Sequence, residues 1–257
     1  MTAAAWPTCD VDGLPLAVVD SARLVDHMFA SLGRGRGGWL VTANLDFLCR
    51  YVRDAECRAL YDAADIRVAD GMPLVWAARL EGHPRLARIA GSSLVWDLAA
   101  RASEAGRSVF LLGGAGDSAR RAAGALRARW PRLQVDSDSG GVVSIPPSPD
   151  QIDALAERLG AAAPSILLVG LGSPKQEHLI RALRPRLPST WMLGVGISFS
   201  FMAGDVTRAP VWMQRAGLEW IHRMLQEPGR LVKRYLYDDL PFAAGMFARS
   251  LRRRLSR

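Results

Sequence analysis

The sequence predicts an α/β fold: a Rossmann-like, mostly parallel β-sheet with helices on both faces, followed by a helical appendage at the C-terminus. Short apolar runs alternate with stretches of helical periodicity, which is the rhythm of βαβ units. The runs are continuously apolar, as expected of strands buried on both faces. No further strand pattern follows residue 203. We therefore expect two parts, a core over residues 1–203 and a basic appendage over residues 204–257.

Five strands are predicted from the apolar runs. They are WLVTAN (39–44), DIRVAD (65–70), SVFLLGG (108–114), SILLVGLG (165–172) and TWMLGVG (190–196). Apolar residues at three-and-four spacing predict helices over 46–64, 93–104, 117–129, 149–159 and 175–183. The intervening segment 137–150 is rich in Ser, Gly and Pro, which predicts a surface loop.

The appendage is predicted to form two or three helices, with a break at Pro228. It carries 11 Lys and Arg against 5 Asp and Glu, and so holds most of the net charge of +8. This charge favours anionic lipid, nucleic acid or phosphorylated substrates, and its sign alone does not choose among them. Trp212 and Trp220 either pack on the sheet or lie among lipid headgroups. Residues 252–257 either join this basic surface or form a solvated end.

The composition is that of a folded globular protein, since 49% of the residues are hydrophobic and 23% are charged. No apolar run approaches the roughly 18 residues that a membrane-spanning helix requires. The N-terminal segment has acids where a signal peptide has a basic leader, so we expect a cytoplasmic location. Cys9, Cys49 and Cys57 are too few and too irregularly spaced for a disulfide framework or a zinc site, and we expect reduced thiols.

Asp70 ends a predicted strand and is followed by Gly71, which lets a ligand approach the backbone closely. In parallel sheets ligands bind beyond the carboxyl ends of the strands. A carboxylate there can serve as a general base if its surroundings raise its pKa. The alternative is that Asp70 caps a helix beginning at Met72-Pro73, and the spacing alone favours the cap.

Glycine-rich turns end three other strands and are candidate substrate-binding positions, because exposed backbone N–H groups favour anions. They contain Gly113, Gly172 and Gly196. The first turn precedes Asp117, a cap residue expected to occupy the free amides itself. The second continues into Lys175, Gln176 and Glu177, and the last two of these are candidate substrate ligands. The first turn does not fit the G-x-G-x-x-G pattern, and the second lacks the GK[ST] element of an ATP-binding P-loop.

Several other site types are excluded by spacing. The four histidines form no i, i+4 pair and no HExxH motif, so no metal site and no cofactor is predicted. No serine lies in a GxSxG motif, which disfavours an α/β-hydrolase. A nucleotide-dependent oxidoreductase would need a dinucleotide fingerprint, which the sequence lacks.

Seven segments together resemble the WecG/TagA/CpsF family of bacterial glycosyltransferases, glycosyltransferase family 26, over nearly the whole chain. In order they are VTANLDFL, ADGMPLVW, the Arg88-x-x-Gly91 pair, FLLGG, GLGSPKQE, GVGISFSFMAG, and RAPVWMQRAGLEW followed by R-x-x-x-E-P-x-R-x-x-x-RY. The last two are the most specific.

The resemblance implies an inverting, metal-independent transferase. It would move a hexose-type sugar such as N-acetylmannosamine from a UDP-sugar to an undecaprenyl-diphosphate-linked saccharide, in cell-surface polysaccharide or teichoic acid synthesis. It would work at the inner face of the cytoplasmic membrane, with a homo-oligomer possible. A UDP-glucose-dependent exopolysaccharide glucosyltransferase is the alternative within this class. A non-catalytic module that binds membrane or nucleic acid is the alternative outside it, and we expect no nucleic-acid partner because glycine turns recur at the strand ends.

The resemblance also implies roles for individual residues. Asp70 matches the general base, and Thr42 and Asn44 match residues of the sugar pocket that complete the expected catalytic group. Arg88 and Gln176 match residues near the donor. The basic appendage positions thought to meet the diphosphate are Arg223, Arg230 and Lys233.

The sequence departs from the family pattern beside the expected sugar pocket. Ser93 and Ser200 stand where family members often have aspartate, and Ile197 and Ser198 replace a common Gly-Ala pair. These differences bear on the identity of the donor or acceptor more than on the reaction class.

Overall fold

The computed structural model describes residues 6–141 and 143–256, and the side chains of Arg215, Arg230 and Arg234 lie outside that description. Eight strands form a hairpin and a central sheet. They are β1 (Thr8–Val11), β2 (Leu14–Ala17), β3 (Gly38–Ala43), β4 (Ile66–Ala69), β5 (Ser108–Gly113), β6 (Gln134–Asp138), β7 (Ile166–Gly170) and β8 (Trp191–Gly194).

The central sheet has six strands in the order β4–β3–β8–β7–β5–β6, and every neighbouring pair is parallel. The predicted Rossmann-like α/β class is therefore confirmed. Strands β3, β5, β7 and β8 are buried along almost their whole length. Their continuous apolar character follows from helices covering both faces of the sheet.

Thirteen α-helices are described. They are α1 (Ser21–Gly33), α2 (Leu45–Arg53), α3 (Ala55–Asp62), α4 (Met72–Leu80), α5 (Gly91–Glu104), α6 (Ser118–Arg129), α7 (Pro149–Ala162), α8 (Lys175–Leu183), α9 (Ser198–Ala203), α10 (Val211–Arg215), α11 (Glu219–Gln226), α12 (Pro228–Lys233) and α13 (Leu240–Leu255). One hydrophobic core lies between the sheet and α2, α3, α7 and α8, and a second lies under α1, α5, α6 and α9. None of the helices in the described residues is long and apolar enough to cross a membrane.

The predicted helix over 46–64 is wrong as a single element. The chain breaks at Asp54, whose backbone is extended and whose side chain accepts hydrogen bonds from the backbone N–H groups of Glu56 and Cys57. The residue therefore caps the second of two shorter helices, as a carboxylate at an N-cap does. The three cysteines are free and buried.

Sequence periodicity did not reveal the β1–β2 hairpin, α1 or β6. The hairpin strands are only four residues each, and their turn is formed by Asp12 and Gly13, both with positive φ. An Asp-Gly pair is a strong signal for such a turn. Strand β6 has polar residues because it lies at the edge of the sheet, and it occupies the start of the segment predicted as a loop.

The appendage contains only helical elements within its described residues, and one of them ends at Gln226 before Pro228 as predicted. It has more helices than expected: α10 to α13, with a π-helical segment Arg234–Asp239 before the last. Helix α13 packs on α4. The boundary at residue 203 stays a prediction.

A buried ionic cluster, formed by Asp12, Glu81, Arg249, Ser250 and Arg253, fastens α13 to the hairpin and to the end of α4. Arg249 donates to both carboxylate oxygens of Asp12, at 2.6 to 3.2 Å. Glu81 accepts from Ser250 Oγ at 2.8 Å and from Arg253 Nη1 at 3.1 Å. The interpretation of residues 252–257 as a solvated end is therefore wrong for Arg253, while Arg257 lies outside the described residues.

Candidate active site

Most of the predicted site residues lie along one edge of the sheet. Thr42 is near the end of β3, Asp70 follows β4, Gly113 ends β5, Gly172 follows β7 and Gly196 follows β8. Because all these strands are parallel, their carboxyl ends share this edge. An added Cβ at Gly172 or Gly196 would face open space, so the backbone of these turns is accessible.

Asp70 holds the start of α5. Its Oδ2 accepts a hydrogen bond from the Gly91 N–H at 3.0 Å, whereas Oδ1 accepts none from the described residues. The interpretation of Asp70 as the cap of α4 is wrong, since Gly71 is the N-cap and no side chain caps that helix. Burial raises the pKa of the Asp70 carboxyl to about 6, although the Gly91 N–H and Arg88 partly oppose the shift. A carboxyl with this pKa suits proton transfer near neutral pH.

Thr42 and Asp70 lie at the ends of neighbouring strands, and Gly91 packs closely against both side chains. A Cβ at position 91 would lie 3.0 Å from Thr42 Oγ1 and 3.7 Å from Asp70 Oδ2. A larger residue would therefore push against both polar groups. The glycine lets the first turn of α5 approach the strand ends closely, as glycine does where backbone and side chains crowd.

Asn44 is adjacent but has a structural contact of its own. Its Oδ1 accepts a hydrogen bond from the Phe47 N–H at 2.9 Å and caps α2. The residue is exposed, and its Cα lies 3.9 Å from the position of an added Cβ at Gly71. The side-chain nitrogen is thus free to meet a ligand while the oxygen serves the cap.

Arg88 is positioned by an extension of the sheet edge. Ala69 and Arg88 form a parallel bridge, and the Ile89 N–H donates to the Ala69 carbonyl at 2.7 Å. The Arg88 guanidinium reaches into the appendage, where Nη1 donates to the Gln214 carbonyl at 2.7 Å and Nη2 lies 3.5 Å from Glu219 Oε2.

A second guanidinium joins this group from the appendage. Arg208 Nε lies 3.4 Å from Glu219 Oε1, and Nη2 donates to Ser93 Oγ at 3.0 Å. Ser93, where family members often carry aspartate, is thus held by an arginine that faces Asp70. The three charges act on Asp70 in opposite senses, because Glu219 raises the pKa of its carboxyl while Arg88 and Arg208 lower it.

Gln176 and Glu177 are buried at the start of α8 and organise the neighbouring turn. Gln176 Nε2 donates to Glu177 Oε1 at 2.8 Å, and its Oε1 accepts from the Gly196 N–H at 3.1 Å. A side chain at Gly194 would collide with Gln176, whose Cδ lies 2.6 Å from the required Cβ position. Burial raises the pKa of the Glu177 carboxyl. Both residues thus support the turn after β8.

A model of the glycosyl transferase WecG/TagA/CpsF family matches residues 9–256, nearly the entire chain. The chain belongs to this family. It is accordingly a glycosyltransferase, and the fold and the family agree with the resemblance carried by the seven sequence segments.

The predicted cationic residues of the glycosyltransferase's appendage lie on α11 and α12. Arg223 is half-buried on α11, and its Nε is buried without a hydrogen bond to any described residue. Lys233 is exposed at the end of α12. Arg230 belongs to α12, and its side chain lies outside the described part of the structure. No ion pair or hydrogen bond joins Arg223 or Lys233 to Asp70 within that part.

The turn after β5 differs from its prediction. Asp117 is the N-cap residue of α6, yet it makes no cap hydrogen bond. Its carboxylate instead pairs with Arg120 at 2.5 Å and with Arg121 at 2.8 Å. The expectation that Asp117 occupies the free amides of the helix is therefore wrong.

No cluster of three His, Cys, Asp or Glu side chains suited to a metal ion occurs in residues 6–141 and 143–256.

The sequence reasoning missed two charged members of the glycosyltransferase's site, Arg208 and Glu219. Both lie in the segment RAPVWMQRAGLEW, which the resemblance singled out as specific. Charged residues spaced through a short helical segment are typical of a solvated surface, and so their shared proximity to Arg88 could not be read from spacing. The specificity of the segment was the available signal.

Proposed function

We propose that this glycosyltransferase moves a hexose-type sugar, N-acetylmannosamine or a related sugar, from a UDP-sugar to an undecaprenyl-diphosphate-linked saccharide. The product would serve cell-surface polysaccharide or teichoic acid synthesis. The observation that supports this function is a carboxyl with a pKa of about 6 beside two guanidiniums at the carboxyl edge of the sheet. The carboxyl suits a general base, and the guanidiniums suit the stabilisation of an anionic leaving group.

In this mechanism Asp70 accepts the proton of the acceptor hydroxyl. The hydroxyl oxygen then forms a bond to the anomeric carbon from the face opposite the nucleotide, and the bond from that carbon to the UDP oxygen breaks. A single displacement of this kind inverts the anomeric configuration. Arg88 and Arg208 stabilise the negative charge that develops on the departing diphosphate. We infer that these cations allow the reaction to proceed without a metal ion.

The direct test is release of UDP from a panel of UDP-sugars in the presence of a lipid-diphosphate-linked acceptor and EDTA. The panel contains UDP-N-acetylmannosamine, its uronic acid and UDP-glucose, so that the glucosyltransferase alternative is scored in the same assay. We expect acceptor-dependent UDP release from one donor, undiminished by EDTA. The absence of turnover with every donor would overturn the proposed donor class, and loss in EDTA would overturn metal independence.

We also propose that the appendage binds the inner face of the cytoplasmic membrane. It holds eight of the ten large hydrophobic side chains that are exposed in the described residues, and arginines lie among them. Aromatic and aliphatic side chains insert at the headgroup boundary while basic residues attract anionic lipid. Trp212 and Leu225, which are 64% and 73% exposed, are suitable reporters because their replacement should little affect the fold.

We expect Trp212→Ser combined with Leu225→Ser to weaken binding to vesicles containing anionic lipid by about tenfold, from the loss of buried apolar area. Co-sedimentation measures the bound fraction. The matched control is Ile145→Ser, which removes an exposed apolar side chain from the core loop. Equal binding by all three proteins would contradict the role of the appendage. If the double variant instead changes the oligomeric state, the apolar surface belongs to an interface between copies.

A further inference from the structure

Glu219 bridges two guanidiniums that come from different parts of the chain. One carboxylate oxygen faces Arg88, which bridges to Ala69 at the end of β4, and the other faces Arg208, which precedes α10. We call this the Arg88–Glu219–Arg208 bridge. It lies beside Asp70, whose carboxyl senses all three charges.

The bridge is loosely made. Its two N–O distances are 3.5 and 3.4 Å, whereas charge-assisted hydrogen bonds are usually about 2.7–2.9 Å long. Each guanidinium offers only one nitrogen to Glu219 and makes its better contact elsewhere, Arg88 with the Gln214 carbonyl and Arg208 with Ser93. Nitrogens Nε of Arg88 and Nη1 of Arg208 donate to no described residue. The carboxylate therefore lies between the two arginines but leaves some of their N–H groups without an acceptor among the described residues.

The bridge is also reachable by solvent. The side chains of Arg88, Glu219 and Arg208 are 16%, 22% and 23% exposed. A phosphate group has three oxygens in a tetrahedral arrangement and can accept two hydrogen bonds from each guanidinium, which a bridging carboxylate at these distances does not. An incoming phosphate would therefore gain donors that Glu219 leaves unused.

We propose that Arg88 and Arg208 form a binding site for a phosphate or diphosphate group, and that Glu219 is an internal anion that occupies this site until the substrate displaces it. The inference rests on the proposed function for the roles of Arg88 and Arg208 and for the source of the phosphate, the diphosphate of a nucleotide-sugar or of a lipid-linked acceptor, and it adds the role of Glu219. Displacement breaks two ion pairs at Glu219 and leaves its carboxylate free to turn toward solvent at the start of α11. Arg208 thereby becomes a substrate-binding residue and Glu219 a competitor.

The test is calorimetric titration of the full-length protein with inorganic pyrophosphate, which carries neither uridine nor sugar. We expect Glu219→Gln to tighten binding by roughly fivefold, the effect of removing a partly exposed competing charge. Arg208→Gln should weaken binding by about tenfold, since it removes one charge-assisted donor group. Matched controls are Asp205→Asn and Arg121→Gln, which break a surface ion pair between Arg121 and Asp205 with the same charge changes.

Weaker or unchanged pyrophosphate binding by Glu219→Gln would overturn the inference, because the ion pairs of Glu219 would then position the two arginines and not compete with the phosphate. Glu219→Asp gives a second measurement should the first variant fold poorly, since its shorter carboxylate should also compete less and tighten binding. UDP titration then distinguishes the nucleotide from a lipid-linked diphosphate. The proposed function fails separately, if no UDP-sugar is turned over while the pyrophosphate results hold.

Discussion

Replacing Asp70 with Asn is expected to lower the turnover number by about 10²–10⁴-fold, the usual contribution of a positioned general base. The amide keeps the size of the side chain and can still accept the hydrogen bond from the Gly91 N–H, but it cannot take the acceptor's proton. Acceptor-dependent UDP release measures the loss. Asp97→Asn is the matched control, because Asp97 is an exposed aspartate on α5 whose carboxylate accepts from Ser21. Full activity of Asp70→Asn would remove Asp70 from the mechanism.

The pH dependence of the wild-type rate should also show that Asp70 acts as the general base. A base with a pKa of about 6 is protonated and inactive below that value, so activity should rise through pH 6 and reach a plateau above it. The charged groups that face Asp70 are Arg88, Arg208 and Glu219. Because the Glu219 carboxylate raises the pKa of Asp70, Glu219→Gln should shift the acidic limb of the profile to lower pH.

Asp70→Asn is also expected to stabilise the fold at alkaline pH. The pKa of Asp70 rises from an ordinary 3.8 to about 6 in the folded protein, so folding favours the protonated carboxyl. Above pH 6 the carboxylate costs stability on the order of 3 kcal/mol, and this cost disappears as the pH falls from 6 toward 4. Asp70→Asn should therefore raise Tm at pH 8 and change it little at pH 4. A lower Tm at pH 8 would contradict the origin of the shift.

The largest effect on stability is expected from removing Arg249 and Arg253 together. The Asp12 side chain is only 3% exposed, and these two arginines are its cationic partners in the described residues. Arg249→Gln with Arg253→Gln would leave that carboxylate buried without a counter-charge, and breaking a buried pair costs about 3–5 kcal/mol. Both arginines are about two-fifths exposed, so we expect the lower end of this range.

Thermal unfolding measures this effect, and α13 supplies its control. Arg252→Gln with Arg254→Gln makes the same change in charge on the same helix, at two exposed positions. The control protein should melt close to the wild type, while the Arg249 and Arg253 variant should melt several degrees lower. Equal melting temperatures of the two double variants would show that the buried ionic cluster contributes little.

The parts of the fold that were predictable are those in which local pattern and burial agree. All five predicted strands are observed, four of them buried along almost their whole length, and α8 is predicted with its observed bounds because its apolar residues keep helical spacing. The site edge followed from the same strands, since parallel strands bring Thr42 and Asp70 together without any contact being known. The positions of Thr42 and Asp70 at that edge are thus predictable from the sequence.

The remainder depended on partners distant in sequence. Asp70 contacts the start of α5 through the Gly91 N–H, which is distant in sequence. Arg208 and Glu219 lie at the site because of Arg88, more than a hundred residues earlier in the chain. The capping contact of Asp54 was local and could have been found from its side chain and the N–H groups that follow. The Asp12-Gly13 turn was equally local, but the strands beside it were too short to show a period.

The buried ionic cluster has a consequence for how the chain is made. Arg249 and Asp12 are 237 positions apart, so their ion pair joins two segments that are far apart in the sequence. During synthesis the hairpin leaves the ribosome long before α13, and domains generally fold as units from the N-terminal side. Until α13 has been synthesised, Asp12 and the surface that α13 covers in the folded protein therefore remain exposed to water. A premature stop anywhere before Arg249 would leave that surface open permanently, marking the shortened chain for chaperones and proteases.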